Sequence, residues 1–168
     1  PTGDARTGIP FLTNFHPDNL SLTKVWVPTI DDEAVRLEVA FPPIIGHQVD
    51  KPLYVLLHGL SGGSQEEFIK DMVHRAHADG STVCIMIARG LMDTPIKGWN
   101  VFHGARVSDI AATALAVRRA LASEHQSLVG VGFSMGAIIL TNYVARSGPD
   151  CALDAAIAVS GVLDSRPQ

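Results

Sequence analysis

Cysteine, charge and long apolar runs are all scarce in this chain, and each scarcity removes a class of protein. Cys84 and Cys151 are the two cysteines, too few for the disulfide framework of a small secreted domain. Cys84 sits inside an apolar run and reads as a small buried hydrophobe; sparse thiols of this kind favour a reducing, intracellular compartment. Charged residues make up 18% of the chain and its net charge is -4, so it lacks the basic face that nucleic-acid binding needs. No stretch approaches the ~20 apolar residues of a membrane span. Residues 1–20 also lack the pattern of a signal peptide. The sequence does not begin with Met, which leaves a targeting or anchoring segment ahead of Pro1 an open matter.

What is abundant is apolar sequence, 46% of 168 residues, enough for one domain with a sizeable core and too little length for two. Residues 1–20 carry no periodicity and read as an arm, with the domain running from 21 to 168. Thr23–Pro28 and Ala34–Phe41 alternate apolar and polar residues about the turn Asp31-Asp32-Glu33, which predicts an antiparallel hairpin of half-exposed strands. From Lys51 onward, short apolar runs alternate with helical periodicity. Leu53–Leu57, Thr82–Ala88, Leu128–Phe133 and Ala155–Val159 read as buried strands. Three helices fall between them. The first opens on a Ser64/Glu67 capping box, buries Phe68, Ile69, Met72, Val73 and Ala76, and stops at Gly80. The second is capped by Ser108 and carries the stripe Ile110, Ala114, Val117, Leu121. The third runs from Met135 to about Arg146. Fully apolar strands alternating with helices predict a parallel sheet covered on both faces.

Gly132-Phe133-Ser134-Met135-Gly136 follows one of these strands and opens a helix. A serine on so sharp a turn projects its hydroxyl above the sheet. Side chains two positions either way would collide with the neighbouring strand and helix, so both are glycine. The helix behind the serine directs free N–H groups toward developing negative charge. Ser134 is therefore the candidate nucleophile. His58-Gly59-Leu60-Ser61-Gly62-Gly63 follows an earlier strand and supplies the second half of the constellation. Acyl transfer needs two N–H donors on the carbonyl oxygen, and the candidates are those of Leu60 and Met135. His58 reads as a structural residue of its turn, because the base follows the serine in folds of this kind.

Other patterns carry less. Gly59–Ser64 lacks the Gly-Lys-Ser/Thr ending of a phosphate-binding loop, and Gly130–Gly136 has the spacing G-x-G-x-x-x-G, one residue too long for a dinucleotide fingerprint. His74 and His77 share a helix face near Asp71 without further ligands at a recognisable spacing, and read as a solvated face. No metal or cofactor is expected. Asp109 reads as a carboxylate favoured by a helix start. Trp99, Phe102 and His103 either line a pocket or pack one.

On these motifs the chain resembles the YheT-like, embryogenesis-associated branch of the α/β-hydrolases. The resemblance spans about Leu53 to Leu163: LLHGLSGGS (56–64), FIKDMVHRA (68–76), ARG (88–90), VGFSMGAIILTNYVARSG (131–148) and AAIAVSGVLD (155–164). It implies an α/β-hydrolase fold truncated after about the sixth strand of the family order 1-2-4-3-5-6-7-8. It further implies a serine carboxylesterase or lipase acting on small acyl esters or lipids. Ser134 would be its nucleophile, and Leu60 and Met135 the oxyanion positions. The family's acid and histidine follow later strands, whereas no histidine follows Ser134 here. Asp150, Asp154 and Asp164 are the downstream aspartates. Asp164 lies just past a strand end, where some lipases place their acid, and is the candidate acid within this chain, although the corresponding aspartate is not this family's usual acid. The implied partners are the ester substrate and a second polypeptide or neighbour completing the sheet, and the fragment alone is expected to be inactive. The rival reading is a non-catalytic scaffold or subunit built on the same fold.

Overall fold

The apolar runs pair into one six-stranded sheet in the computed structural model, which describes residues 20–162. The strands are β1 (Thr23–Pro28), β2 (Ala34–Ala40), β3 (Leu53–Leu57), β4 (Val83–Ile87), β5 (Leu128–Phe133) and β6 (Ala155–Val159). Their spatial order is β1-β2-β4-β3-β5-β6. β1 and β2 form the antiparallel hairpin, and β2 adds antiparallel to β4 with Arg36 opposite Ile87. β4, β3, β5 and β6 run parallel. Helix α1 (Glu67–Ala78) lies after β3, α2 (Ser108–Ala120) after β4, and α3 (Met135–Ser147) after β5.

Successive side chains of a strand point to opposite faces, and here each face meets helices. Val55 and Leu57 join Cys84, Met86, Ile110, Val117, Ile139 and Leu140 in one core, toward α2 and α3. Leu56, Ile85, Ile87 and Val131 join Ile69 and Val73 of α1 in the other. This double burial is why β3 and β4 are apolar at every position. Each fully buried Leu or Ile contributes about 1.5–3 kcal/mol.

Several details depart from the sequence expectations. β2 is buried along its length, not half exposed, because it lies inside the sheet between β1 and β4. Its polar positions Arg36 and Glu38 are buried as an ion pair at 3.0 Å. Ser64 caps nothing: the turn Glu66 N–H to Gly63 C=O delays the helix to Glu67, with Glu66 before it. Ser64 is fully buried against Met92, and Glu67 faces Lys70 at 3.2 Å. Phe68 is partly exposed and meets Phe133 in a tilted contact with ring centres 4.9 Å apart. Ser108 is the first residue of α2, not its cap; its hydroxyl donates to Asp109. β6 forms as expected, but every residue of it is exposed, since it is the edge strand and α3 covers it only in part. Of the arm, Leu20 alone is described, packed with Leu22 against the α1-side core.

Candidate active site

All four parallel strands end at the same edge of the sheet, and there the loops after β3, β4 and β5 converge. β5 runs into Ser134, which has φ 52° and ψ -116°, a backbone region that costs a non-glycine residue about 1–3 kcal/mol. The turn is held on both sides. The Ser134 N–H donates to the Val159 carbonyl of β6 at 2.9 Å, and the Ser134 carbonyl accepts from Ala137 (3.0 Å) and Ile138 (3.2 Å) to start α3. A Cβ on Gly132 would lie 2.5 Å from the Gly136 carbonyl oxygen and 2.7 Å from the Ala137 nitrogen. One on Gly136 would run into the Leu57 carbonyl and lie 2.6 Å from that of His58. The obstacles are backbone atoms, so neither position tolerates a side chain without the elbow moving. Ser134 is exposed, and among the described residues its hydroxyl has no hydrogen-bond partner.

The loop after β3 lies against it. A Cβ on Gly59 would sit 3.4 Å from the Ser134 Cβ and 3.9 Å from its Oγ, ordinary van der Waals distances that place this loop directly beside the hydroxyl. His58 fixes the loop. Its Nε2 accepts the Ala88 N–H at 3.1 Å, which assigns the proton to Nδ1, and Nδ1–H donates to the Gly59 carbonyl at 2.7 Å. Burial pushes the His58 pKa down, against the Gly59 hydrogen bond and the Glu38 charge; the ring is neutral and both nitrogens are occupied. The same Gly59 carbonyl accepts from Gly62 at 3.2 Å, and Ser61 takes φ 57° to close the turn. Leu60 at the loop's crest exposes its side chain. Met135, across the elbow, heads α3, where first-turn N–H groups lack helical acceptors.

The connection 88–107 forms a third wall. The Phe102 ring centre lies 6.3 Å from that of His58. The Gly104 carbonyl accepts from the Asn142 side chain at 3.1 Å. A buried charge cluster organises this wall. Arg89, fully buried, reaches Asp109 through Nε (2.9 Å) and Nη2 (2.5 Å), Asp31 through Nη1 (2.7 Å), and the Asn100 carbonyl (3.1 Å). Asp109 is thus a buried partner of Arg89, and not simply a carboxylate favoured by its helix start. Arg89 holds the Asp31 carboxyl well below the usual carboxylate range. Sequence reasoning missed this cluster, whose only local signal was an arginine placed directly after an apolar strand.

The remaining candidates lie elsewhere. Asp154 sits at the opposite end of the sheet, accepting from the Leu128 N–H (2.7 Å) and Arg118 (2.6 Å). Its burial raises the pKa, but the Arg118 and Leu128 hydrogen bonds outweigh that and lower it. Asp150 lies in a short turn after α3, and Asp164 falls outside the described residues. His77 meets the Ala40 carbonyl at 3.2 Å, and Asp71 pairs with Arg75 at 2.9 Å.

No family model matches the chain. Comparison with solved structures aligns 84% of it with 52% of an esterase from Pyrococcus furiosus, at a TM-score of 0.66 and 16% identity. In sequence it is 30% identical over 115 residues to the monoacylglycerol lipase of Saccharomyces cerevisiae, covering 68% of this chain and 25% of the lipase. The chain belongs to the α/β-hydrolases. Within that family it is similar to the putative esterase YheT of Escherichia coli, 28% identical over 110 residues, covering 66% of this chain and 32% of YheT. This α/β-hydrolase chain thus spans a third or less of the length of these two curated relatives, and its sheet is the mostly parallel sheet of the family, β1 to β6 in the family's order.

Proposed function

We propose that the protein is a serine ester hydrolase of the carboxylesterase or lipase type, with Ser134 as its nucleophile. The observation that carries this reading is the elbow. A serine held at φ 52° between a buried strand and a helix, with two glycines fixed by backbone contacts, stores strain at an exposed hydroxyl between the converging loops. The names of its relatives, lipase and esterase, point to acyl esters. In the proposed reaction the Ser134 oxygen attacks the ester carbonyl and its proton passes to a base. The tetrahedral oxyanion is held by the N–H groups of Leu60 and Met135. Its collapse expels the alcohol, which takes up the proton, and leaves an acyl-Ser134 that water then hydrolyses. His58 is not that base, since both its nitrogens are engaged. The base is a histidine supplied by sequence beyond residue 168, oriented by an acid from the same region.

The whole protein, treated with a fluorophosphonate, should form an adduct at Ser134 with loss of fluoride. Ser134→Ala should abolish both the adduct and turnover of short acyl esters, a loss of about 10⁶-fold where nucleophile and base act as a unit. Unreactive Ser134 in a folded whole protein would instead mean a hydrolase fold used as a scaffold.

A further inference from the structure

The Leu60 N–H belongs to the peptide unit that also carries the Gly59 carbonyl. A trans peptide is planar, with its C=O and N–H pointing in opposite directions, so whatever aims that carbonyl also aims the N–H. Two donors aim it. His58 Nδ1–H reaches the Gly59 oxygen at 2.7 Å, and the Gly62 N–H reaches it at 3.2 Å. The carbonyl is thereby turned into the loop and the Leu60 N–H out of it. Among the described residues that N–H has no acceptor. It directly follows Gly59, where a Cβ would lie 3.9 Å from Ser134 Oγ. Glycine leaves its own torsions free, so without these two donors the Gly59–Leu60 peptide could rotate and carry the N–H away.

The ring that holds the carbonyl is itself set from outside the loop. His58 Nε2 accepts the N–H of Ala88, the residue after β4, at 3.1 Å. A neutral imidazole with one nitrogen accepting carries its proton on the other. The end of β4 therefore selects the tautomer that the Gly59 carbonyl needs. The His58 ring is buried beside Phe102, and that burial keeps it neutral. A charged ring would set Nε2–H against the Ala88 N–H. A Cβ on Gly62 would lie 3.3 Å from both His58 Nδ1 and the Gly59 oxygen, so ring and carbonyl leave residue 62 little room for a side chain.

Resting on the Ser134 reading above, we propose that His58 is a positioning residue for the oxyanion. Through the Gly59 carbonyl it holds the Leu60 N–H in the direction from which that donor meets the substrate's carbonyl oxygen.

The test is the steady-state turnover of a short acyl ester by the whole protein. His58→Phe keeps a flat ring and removes both nitrogens. Its kcat should fall about 10²-fold, the usual loss for one oxyanion donor, with KM little changed, as for an interaction made only in the transition state. His58→Asn places an amide donor where Nδ1 stands and should regain most of that loss. His58→Gln reaches the Ala88 N–H but not the Gly59 carbonyl, and should regain little. In a Leu60→Pro background, where the donor is already gone, His58→Phe should cost nothing further, since both changes remove one interaction. Nitrogen-15 NMR of the parent should find the His58 proton on Nδ1. Parental kcat in His58→Phe with Ser134 still labelled by fluorophosphonate overturns the proposal. So do equal losses in the Asn and Gln variants, losses that multiply in the Leu60→Pro background, or a proton on Nε2. Should His58→Phe fail to fold, the Asn and Gln variants and the tautomer decide in its place. If the parent is neither labelled at Ser134 nor active, the nucleophile assignment itself falls, and this inference with it.

Discussion

Arg89→Met removes the cation at the centre of the buried cluster and leaves its carboxylates behind. Arg89 is 0% exposed at its side chain and Asp109 4%, whereas Asp31 is 20% exposed and keeps Arg106 at 3.2 Å. The orphan that matters is therefore Asp109. It would retain the Ser108 hydroxyl at 3.2 Å as donor and lose both guanidinium contacts. Removing one partner of a buried ion pair costs about 3–5 kcal/mol, which for a domain of this size lowers the melting temperature by about 6–20 °C. Arg89→Met with Asp109→Leu should recover about half of that loss or more, because it removes the stranded charge together with its partner. Urea unfolding followed by circular dichroism measures both. A loss under about 1 kcal/mol for the single variant, or no recovery in the double, would refute the view that Arg89 neutralises a buried carboxylate. The cluster also sets an acid limit. Asp31 titrates below its ordinary value because Arg89, foremost, stabilises its charged form. Its contribution is therefore complete above the usual carboxylate pKa of about 3.9 and fades as pH falls below it. Asp31→Asn should flatten that acid limb of the stability curve; an unchanged limb would exclude Asp31 as its source.

Two further outcomes follow from the elbow and the edge. Leu60→Ala in the whole protein should keep substantial esterase activity, because the exposed side chain is not the donor. Leu60→Pro should lose about 10²-fold or more by deleting the N–H, and equal activity of parent and proline variant would remove Leu60 from the site. The 168-residue chain by itself should associate through β6, where Ile157 and Val159 are exposed on one face and Ala156 and Ala158 line an apolar groove against α3 on the other. Sedimentation should show dimers or larger species that Ile157→Lys disperses, and a monomeric parent would contradict this.

How much was legible depended on how local the physics was. Gly132 could be read from sequence because its constraint spans five residues: a Cβ there meets the backbone of Gly136 and Ala137, whereas Gly136 was legible only through the motif, since what blocks its Cβ is the backbone of Leu57 and His58 at the end of β3. The strands and helices were legible for the same reason, and the sheet order followed from the resemblance. Spacing misled where a competing local structure existed. Ser64 and Glu67 have the interval of a capping box, but the adjoining glycine pair closes its own turn and the helix starts later. Alternation misled at β2, since a polar position signals solvent only when nothing pairs it, and Arg36 and Glu38 pair with each other.

The cluster around Arg89 was illegible for a stronger reason. Asp31, Arg89 and Asp109 belong to three different elements, and no spacing in the chain announces that the hairpin tip, the end of β4 and the start of α2 meet. β6 poses the converse case. Ala155–Val159 is as apolar as β3 and β4, a composition that suits a strand covered on both faces, while in the structure one side of it pairs with β5 and the other is open. The Ser134 N–H donates to Val159 at the end of this same strand. Whatever pairs with the open side of β6 therefore also steadies the carbonyl that holds the elbow. The bond to Val159 is already formed while the edge is open, so covering the edge reinforces the turn at Ser134 and does not create it. Under the proposed function, esterase activity and loss of self-association should appear together in the whole protein, because one region would supply both the covering strand and the base.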